Sequence, residues 1–158
     1  DDRVLDPLCG VGTILIERVL MAPVAEAIGG DIRAQAVEMA GRNARSARAS
    51  VTWRQWDARA LPLASASMSR IVTNLPFGKQ LGSAEDNATL YPALADEFSR
   101  VLSADGLLVT LTSDDQRWTQ TLQQHGWHIT KRVVLVVLGQ PATIFVADKQ
   151  SGTSTSQQ

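Results

Sequence analysis

The alternation of strand and helix patterns constrains the fold of this chain more than any other feature. Short apolar segments that suit buried strands are separated by segments whose apolar residues recur at helical spacing. The predicted strands span 3–8, 25–32, 51–58, 68–75, 106–113, 127–139 and 142–149, and the predicted helices span 12–22, 33–47, 91–102 and 117–126. This order is typical of an α/β fold with a doubly wound, mostly parallel sheet of seven strands. Because no helix separates the last two strands, we expect them to form an antiparallel hairpin at one edge.

Two prolines refine this prediction. Pro92 is expected in the first turn of the helix at 91–102, where its missing N–H is tolerated. Gln140 and Pro141 are expected to form the break between the last two strands.

The 158 residues fit one domain, predicted at 1–148, followed by a disordered tail at 149–158 that is rich in small polar residues. Hydrophobic residues make up 44% of the chain, and no apolar run reaches the roughly 20 residues that cross a bilayer. The single cysteine cannot form an intramolecular disulfide, which favours a reducing, cytoplasmic location. Because the chain starts without Met and enters a strand almost at once, we expect it to be part of a longer protein.

Polar residues stand where four successive predicted strands end. The first strand leads into the loop DPLCGVGT, in which Gly10 and Gly12 permit a tight turn and close approach to a ligand. The second ends at Asp31, 19 residues after Gly12, which is about the offset at which an acid reaches ribose hydroxyls. The third ends at Asp57 and the fourth at Asn74. Since ligands bind at the carboxyl ends of strands in such sheets, these residues predict one site for a nucleotide-like ligand.

The loop does not match the common phosphate-binding motifs. A G-x-G-x-x-G loop needs a third glycine where this chain has Leu15, and the Gly-Lys-Ser/Thr of a P-loop is absent. Asp6 would repel a pyrophosphate but suits an ammonium group. S-adenosylmethionine carries an ammonium, a sulfonium, a ribose and an adenine without phosphate, so the set of residues predicts this cofactor. Taken singly, Asp6 or Asp57 fits a structural role in capping a loop equally well.

The residues Asn74, Leu75, Pro76 and Phe77 predict a clamp for a planar amino group. The Asn74 amide oxygen accepts hydrogen bonds, and Pro76 stiffens the backbone so that neighbouring carbonyls can accept others. Phe77 offers a flat face on which an extruded base would stack. With its protons held, the amine would aim its lone pair at the methyl sulfonium, so orientation would supply most of the catalysis. The alternative is a strand-end turn whose Phe77 fills the core.

No other catalytic chemistry is indicated. Cys9 lies in the cofactor loop, away from the predicted base, and is interpreted as a small packing residue. One cysteine and two histidines, His125 and His128, make no convincing metal cluster, so no metal is expected.

Four segments together, DPLCGVGT, GGDI, QWDARALPL and TNLPFGKQLGS, resemble the methyltransferase domain of THUMP-associated tRNA guanine-N2-methyltransferases. The resemblance covers residues 3–146 and implies a Rossmann-like class I fold that transfers a methyl group from S-adenosylmethionine to the 2-amino group of a guanosine in tRNA. It implies that the first strand end binds the methionine end of the cofactor, the second binds its ribose and the third binds its adenine. The clamp would hold the guanine. The implied cofactor-binding residues are Asp6, Pro7, Cys9, Gly10, Gly12, Thr13, Asp31, Ile32, Asp57, Ala58 and Asn74, and the implied catalytic residues are Asn74, Leu75, Pro76 and Phe77.

Members of this family carry an N-terminal THUMP module that grips the tRNA, and these 158 residues contain none. The net charge of −1 agrees with RNA affinity located elsewhere, although the arginine-rich stretch 42–59 is a local exception. We therefore expect cofactor binding but weak tRNA methylation by this chain alone. Other targets stay open, namely rRNA guanine, DNA adenine or protein glutamine, as does a non-catalytic scaffold that only binds the cofactor. Nicotinamide-dependent redox chemistry is disfavoured by Leu15.

Overall fold

The computed structural model describes residues 2–76 and 84–149, which form seven strands and four helices in the predicted order. The strands are β1 (Arg3–Asp6), β2 (Glu26–Asp31), β3 (Thr52–Gln55), β4 (Met68–Asn74), β5 (Leu102–Thr112), β6 (Trp127–Val137) and β7 (Gln140–Lys149). The helices are α1 (Thr13–Met21), α2 (Ala34–Ala47), α3 (Ala84–Val101) and α4 (Asp115–Gln124). Residues 150–158, most of the predicted tail, lie outside the described residues.

All seven strands form one sheet in the order β3-β2-β1-β4-β5-β7-β6. The first five strands pair in parallel, while β7 runs antiparallel to both β5 and β6. The predicted α/β fold and its antiparallel edge hairpin are therefore confirmed. The chain order reverses between β1 and β4, and this switch point is where open α/β sheets bind ligands.

Large aromatic side chains fill the core on the side of α3 and α4. Trp118, Trp127 and Tyr91 are almost completely buried, and the rings of Tyr91 and Trp118 meet edge to face at 5.2 Å. Both tryptophans form hydrogen bonds through their buried indole N–H groups. Trp118 donates to Thr110 Oγ1 at 2.7 Å, and Trp127 donates to the Ala95 carbonyl at 3.2 Å. These contacts fix α3 and α4 against the sheet.

The structure differs from prediction at both prolines. Helix α3 begins at Ala84 rather than at 91, so Pro92 lies in its interior. The missing N–H interrupts the backbone ladder there, and the helix continues because it buries Leu94, Ala95 and Phe98 completely. The hairpin turns at Leu138 and Gly139, not at 140–141.

The hairpin turn has a clear physical cause. Leu138 and Gly139 both have positive φ, 50° and 78°, the combination required by a two-residue turn that matches the twist of its strands. Pro141 lies inside β7, opposite Val136.

None of the helices among the described residues is long and apolar enough to cross a membrane.

Candidate active site

A cavity of about 630 Å³ opens at the carboxyl ends of β1, β2 and β4, beside the loop that follows β3. It lies at the switch point of the sheet, and its size is typical of a small-molecule site. Eleven of the residues proposed from sequence line it together: Asp6, Cys9, Gly10, Thr13, Asp31, Ile32, Asp57, Ala58, Asn74, Leu75 and Pro76. Pro7 and Gly12 support the lining without being part of it, and Phe77 lies outside the described residues.

The glycine loop folds tightly between β1 and α1. The Cys9 N–H donates to the Gly30 carbonyl and the Gly12 N–H donates to the Cys9 carbonyl, both at 2.8 Å. Gly10 and Gly12 have φ values of 51° and 87°, a region that side chains disfavour. A Cβ on Gly12 would also approach Trp53 to 2.6 Å, whereas a Cβ on Gly10 would meet open space. Gly12 therefore serves packing, and Gly10 keeps the cavity floor free.

Asp6 is a buried acid with one unused oxygen. Its Oδ1 accepts from Thr73 Oγ1 at 2.7 Å and from the Leu8 N–H at 3.2 Å, while Oδ2 is buried and has no partner among the described residues. Burial raises the pKa of Asp6 to about 7, against the lowering effect of these hydrogen bonds. A cationic donor in the cavity would satisfy Oδ2 and stabilise the ionised form.

Asp31 is held by its own chain. Its oxygens accept from the Gly10 N–H at 3.1 Å and from the backbone N–H and guanidinium of Arg33 at 3.0 to 3.4 Å. Burial acts to raise the pKa of Asp31, but the hydrogen bonds and charge of Arg33 outweigh it and keep this pKa below its usual value. Asp31 is therefore ionised at neutral pH and orients Gly10 toward the cavity.

Asp57 repeats this arrangement at the neighbouring strand end. Arg59 donates to both carboxylate oxygens, with a closest distance of 2.6 Å, and this pairing is the main reason that the pKa of Asp57 is lowered. Ala58, which lies between Asp57 and Arg59 in the chain, is buried. Ile32 is 59% exposed on the lining, which gives the cavity an apolar surface at this end.

A buried tryptophan joins the end of β3 to the glycine loop. Trp56 Nε1 donates to the Pro7 carbonyl at 3.0 Å. The indole lies directly against Gly30, where a Cβ would come within 2.2 Å of the ring. The GGD segment of β2 is thus explained by packing, because Gly30 leaves room for Trp56 and Gly29 leaves room for Trp53. Pro7 acts through this contact and not as part of the cavity lining.

The predicted clamp begins at the end of β4. Asn74 is exposed on the cavity lining, whereas the Leu75 side chain belongs to the core and its N–H donates to the Leu111 carbonyl at 2.9 Å. The Pro76 carbonyl accepts from Tyr91 Oη at 3.1 Å, so one of the carbonyls that the sequence offered as acceptors is already engaged within the protein. Among the carbonyls beside Pro76, that of Leu75 is the one to consider as an acceptor for a ligand.

Cys9 is buried in the lining, and its environment does not activate it. Burial, followed by the charges of Asp6 and Asp31, raises the pKa of Cys9 to about 12. The thiol stays protonated at neutral pH, which disfavours a role as nucleophile. Among the described residues, no group of three or more His, Cys, Asp or Glu side chains could hold a metal ion.

Sequence reasoning missed several lining residues: Leu8, Val11, Ile14, Arg33, Arg59, Asn87 and Leu90. The two arginines had a local signal, since each stands two residues after a strand-end acid. Asn87 and Leu90 had none, because only the folded position of α3 brings them to the cavity.

The comparisons with known proteins agree with this geometry. Residues 1–140 match the UPF0020 family model, described as the RMKL-like methyltransferase domain. A relative from Mus musculus, tRNA (guanine(6)-N(2))-methyltransferase THUMP3, is 38% identical over 149 residues, which cover 85% of this chain and 29% of the relative. The U6 snRNA (guanine-N(2))-methyltransferase THUMPD2 of Bos taurus is 35% identical over 114 residues, which cover 71% of this chain and 22% of the relative. The chain thus spans less than a third of the length of these relatives.

Solved structures show the same fold. TrmN from Thermus thermophilus superimposes with a TM-score of 0.83 at 27% identity, covering 94% of this chain and 44% of TrmN. The tRNA (uracil-54, C5)-methyltransferase of Pyrococcus abyssi, solved with S-adenosyl-L-homocysteine, gives a TM-score of 0.74 at 18% identity, covering 93% of this chain and 34% of the other. The resemblance at 18% identity extends to the fold alone.

Proposed function

Because the chain belongs to the RMKL-like methyltransferase-domain family, we propose that it transfers a methyl group from S-adenosylmethionine to the 2-amino group of a guanosine in RNA, with tRNA as the substrate. One observation carries the proposal. Asp6, whose Oδ2 has no partner among the described residues, lines the same cavity as Asn74, and Thr73 links the two strand ends by its bond to Asp6. An acceptor for a cation and an acceptor for an amine therefore face one space.

The cofactor would occupy the cavity along three strand ends. Asp6 Oδ2 would accept from its ammonium, and the loop around Gly10 and Thr13 would enclose its methionine part. Asp31 would accept from the ribose hydroxyls, which requires the exposed Arg33 side chain to yield part of its contact with Asp31. Ile32 and Ala58 would contact the adenine, beside Asp57. The bound cofactor supplies an electrophilic methyl group on a positively charged sulfur.

The clamp would hold the amine of the base for in-line attack. Asn74 Oδ1 and the Leu75 carbonyl would accept the two amine protons, and Phe77 would stack on the ring. The nitrogen lone pair then forms the new N–C bond while the C–S bond breaks, and the amine loses one proton to water. No covalent intermediate is needed, because the residues act by orienting the reactants.

RNA binding would depend on more than these residues. The two curated relatives are named for tRNA and for U6 snRNA, so the RNA class is the first part of the specificity to measure. We expect a THUMP module outside these 158 residues to dock the tRNA, in agreement with the net charge of −1. The site of action would be cytoplasmic.

The proposal is tested by incubating the chain with S-adenosylmethionine labelled in its methyl group and with separate pools of unmodified tRNA, U6 snRNA, rRNA and DNA. Nucleoside mass spectrometry then identifies the labelled product, with protein digests examined for methylated glutamine. We expect labelled N2-methylguanosine in tRNA, at low yield because these 158 residues would act without the THUMP module proposed to dock the tRNA. Label in another nucleoside, or in protein alone, would reject the guanine assignment.

The clamp is tested by Asn74→Ala. We expect this variant to lose methylation at least about a hundredfold while it still binds S-adenosylmethionine. Calorimetry measures the binding, and Gln120→Ala, which removes an exposed amide from α4 outside the cavity lining, serves as the matched control. Methylation that persists in Asn74→Ala would favour the non-catalytic interpretation of this motif.

A further inference from the structure

Asn87 is a buried polar residue whose amide nitrogen has no hydrogen-bond acceptor among the described residues. Its side chain is 2% exposed, and its Nδ2 atom is buried without a partner among the described residues. Asn87 nevertheless lines the cavity, together with Asn74 and Pro76. A buried, unpartnered amide N–H lowers stability by about 1–3 kcal/mol, so its retention in a binding cavity calls for a ligand acceptor.

The position of Asn87 in α3 places it at the clamp end of the cavity. Tyr91 follows one helical turn later, and side chains four residues apart share a helix face. Tyr91 Oη donates to the Pro76 carbonyl at 3.1 Å, which fixes this face of α3 against the clamp. Tyr91 is held in turn by Thr112 Oγ1 at 3.0 Å. The Asn87 amide is therefore carried by a rigid helix and not by a loop.

We propose that Asn87 Nδ2 donates a hydrogen bond to a ring acceptor of the target guanine, either O6 or N3, and so positions and selects the base whose amine the clamp holds. This inference rests on the proposed function. The chemistry is complementary, since Asn74 and the Leu75 carbonyl are acceptors for the amine and Asn87 adds a donor. Guanine presents the N3 acceptor on one side of its 2-amino group and, on the other side, the N1–H donor followed by the O6 acceptor, so a donor beside an amine clamp recognises more than the amine itself.

The first experiment compares Asn87→Ala with wild type for methylation of tRNA under single-turnover conditions and for calorimetric binding of S-adenosylmethionine. We expect methylation to fall about tenfold to a hundredfold and the cofactor affinity to stay within about twofold. Thr119→Ala is the matched control, because Thr119 Oγ1 is also buried without a partner but lies on α4, away from the cavity. Urea unfolding confirms that both variants are folded.

The second experiment identifies the acceptor. The methylated guanosine of the tRNA is replaced by 2-aminopurine riboside, which keeps the amine and lacks O6, or by 3-deazaguanosine, which lacks N3. We expect wild type and Asn87→Ala to methylate one of the two analogues at the same rate. The atom that this analogue lacks is then the acceptor of the Asn87 hydrogen bond.

Three results would overturn the inference. They are an Asn87→Ala variant as active as wild type, an equal loss with guanosine and with both analogues, and a loss of cofactor affinity in proportion to the loss of methylation. The last result would assign the amide to the cofactor. If wild type makes N2-methylguanosine while Asn87→Ala is unaffected, only this inference fails. If wild type makes none, the proposed function fails and this inference fails with it.

Discussion

Replacing Asp6 by Asn separates the stability of the fold from the binding of the cofactor. The change keeps the shape of the side chain and an Oδ1 acceptor for Thr73 Oγ1 and the Leu8 N–H. It removes the charge that the fold must otherwise bury when the carboxyl ionises. We therefore expect Asp6→Asn to be more stable than wild type near neutral pH and to bind S-adenosylmethionine poorly.

The size of the stability effect follows from the pKa of Asp6, which burial raises from 3.8 to about 7. Below about pH 4 the carboxyl is protonated in both states, so ionisation does not affect stability. Between about pH 4 and pH 7 the unfolded chain releases the proton and the folded chain keeps it, so the wild-type free energy of unfolding falls as pH rises. Above about pH 7 the loss is constant. At roughly 1.4 kcal/mol per pKa unit it amounts to about 4 kcal/mol at pH 8 and about 2 kcal/mol at pH 5.

The assay is urea unfolding of wild type and Asp6→Asn, without cofactor, at about pH 5 and about pH 8. The free energy of unfolding of the variant should exceed that of wild type at pH 8, and the difference between variant and wild type should rise by about 2 kcal/mol from pH 5 to pH 8. Calorimetry at pH 8 should show the opposite order for affinity, with a loss of at least about a hundredfold in the variant because the ammonium has no charged partner.

A gap that does not change with pH would show that burial does not raise the pKa of Asp6 in the folded protein. A variant that is less stable than wild type at pH 8 would refute the reasoning about its burial. Full cofactor affinity in Asp6→Asn would refute its assignment to the ammonium.

Further predictions concern the support of the site and the packing of the strands. Tyr91→Phe removes the donor to the Pro76 carbonyl, so we expect a loss of about 1 kcal/mol in urea unfolding and slower methylation with unchanged cofactor affinity. Gly30→Ala should destabilise the fold by about 3 kcal/mol, because the new Cβ would lie 2.2 Å from the Trp56 ring and 2.5 Å from the Arg54 carbonyl oxygen. Gly41→Ala is its control in a helix, where the nearest atom to the new Cβ is 3.6 Å away, and it should stabilise by about 0.5–1 kcal/mol. Equal effects of the two glycine substitutions would contradict the packing account.

The sheet and the cofactor end of the site follow from local sequence. Alternating strand and helix patterns order the elements, and the carboxyl ends of parallel strands must meet at one edge, so the sequence alone predicts that Asp6, Asp31 and Asn74 lie together. The same reasoning predicts that Asp57 lies at this edge, because it follows closely after the end of β3. These inferences use chemistry within a few residues of each strand end.

Long-range contacts explain what the sequence could not reveal. Nothing near Pro76 in the chain predicts that Tyr91 occupies its carbonyl, because that bond depends on where α3 packs. The earlier start of α3 has the same origin, since burial of Phe98 and its neighbours compensates for the interior Pro92. Asn87 reaches the cavity only through this placement of the helix. The local preference of proline for a first helical turn predicted that α3 begins near Pro92, but tertiary packing extends the helix to an earlier start.

The most direct test of the account is a crystal structure of this chain with S-adenosylhomocysteine. We expect the ammonium within hydrogen-bonding distance of Asp6 Oδ2, the ribose hydroxyls on Asp31, and the sulfur directed toward Asn74 and Leu75. A ligand bound outside this cavity, or one whose sulfur points away from Asn74, would contradict the claim that the cofactor and the amine clamp form one active site.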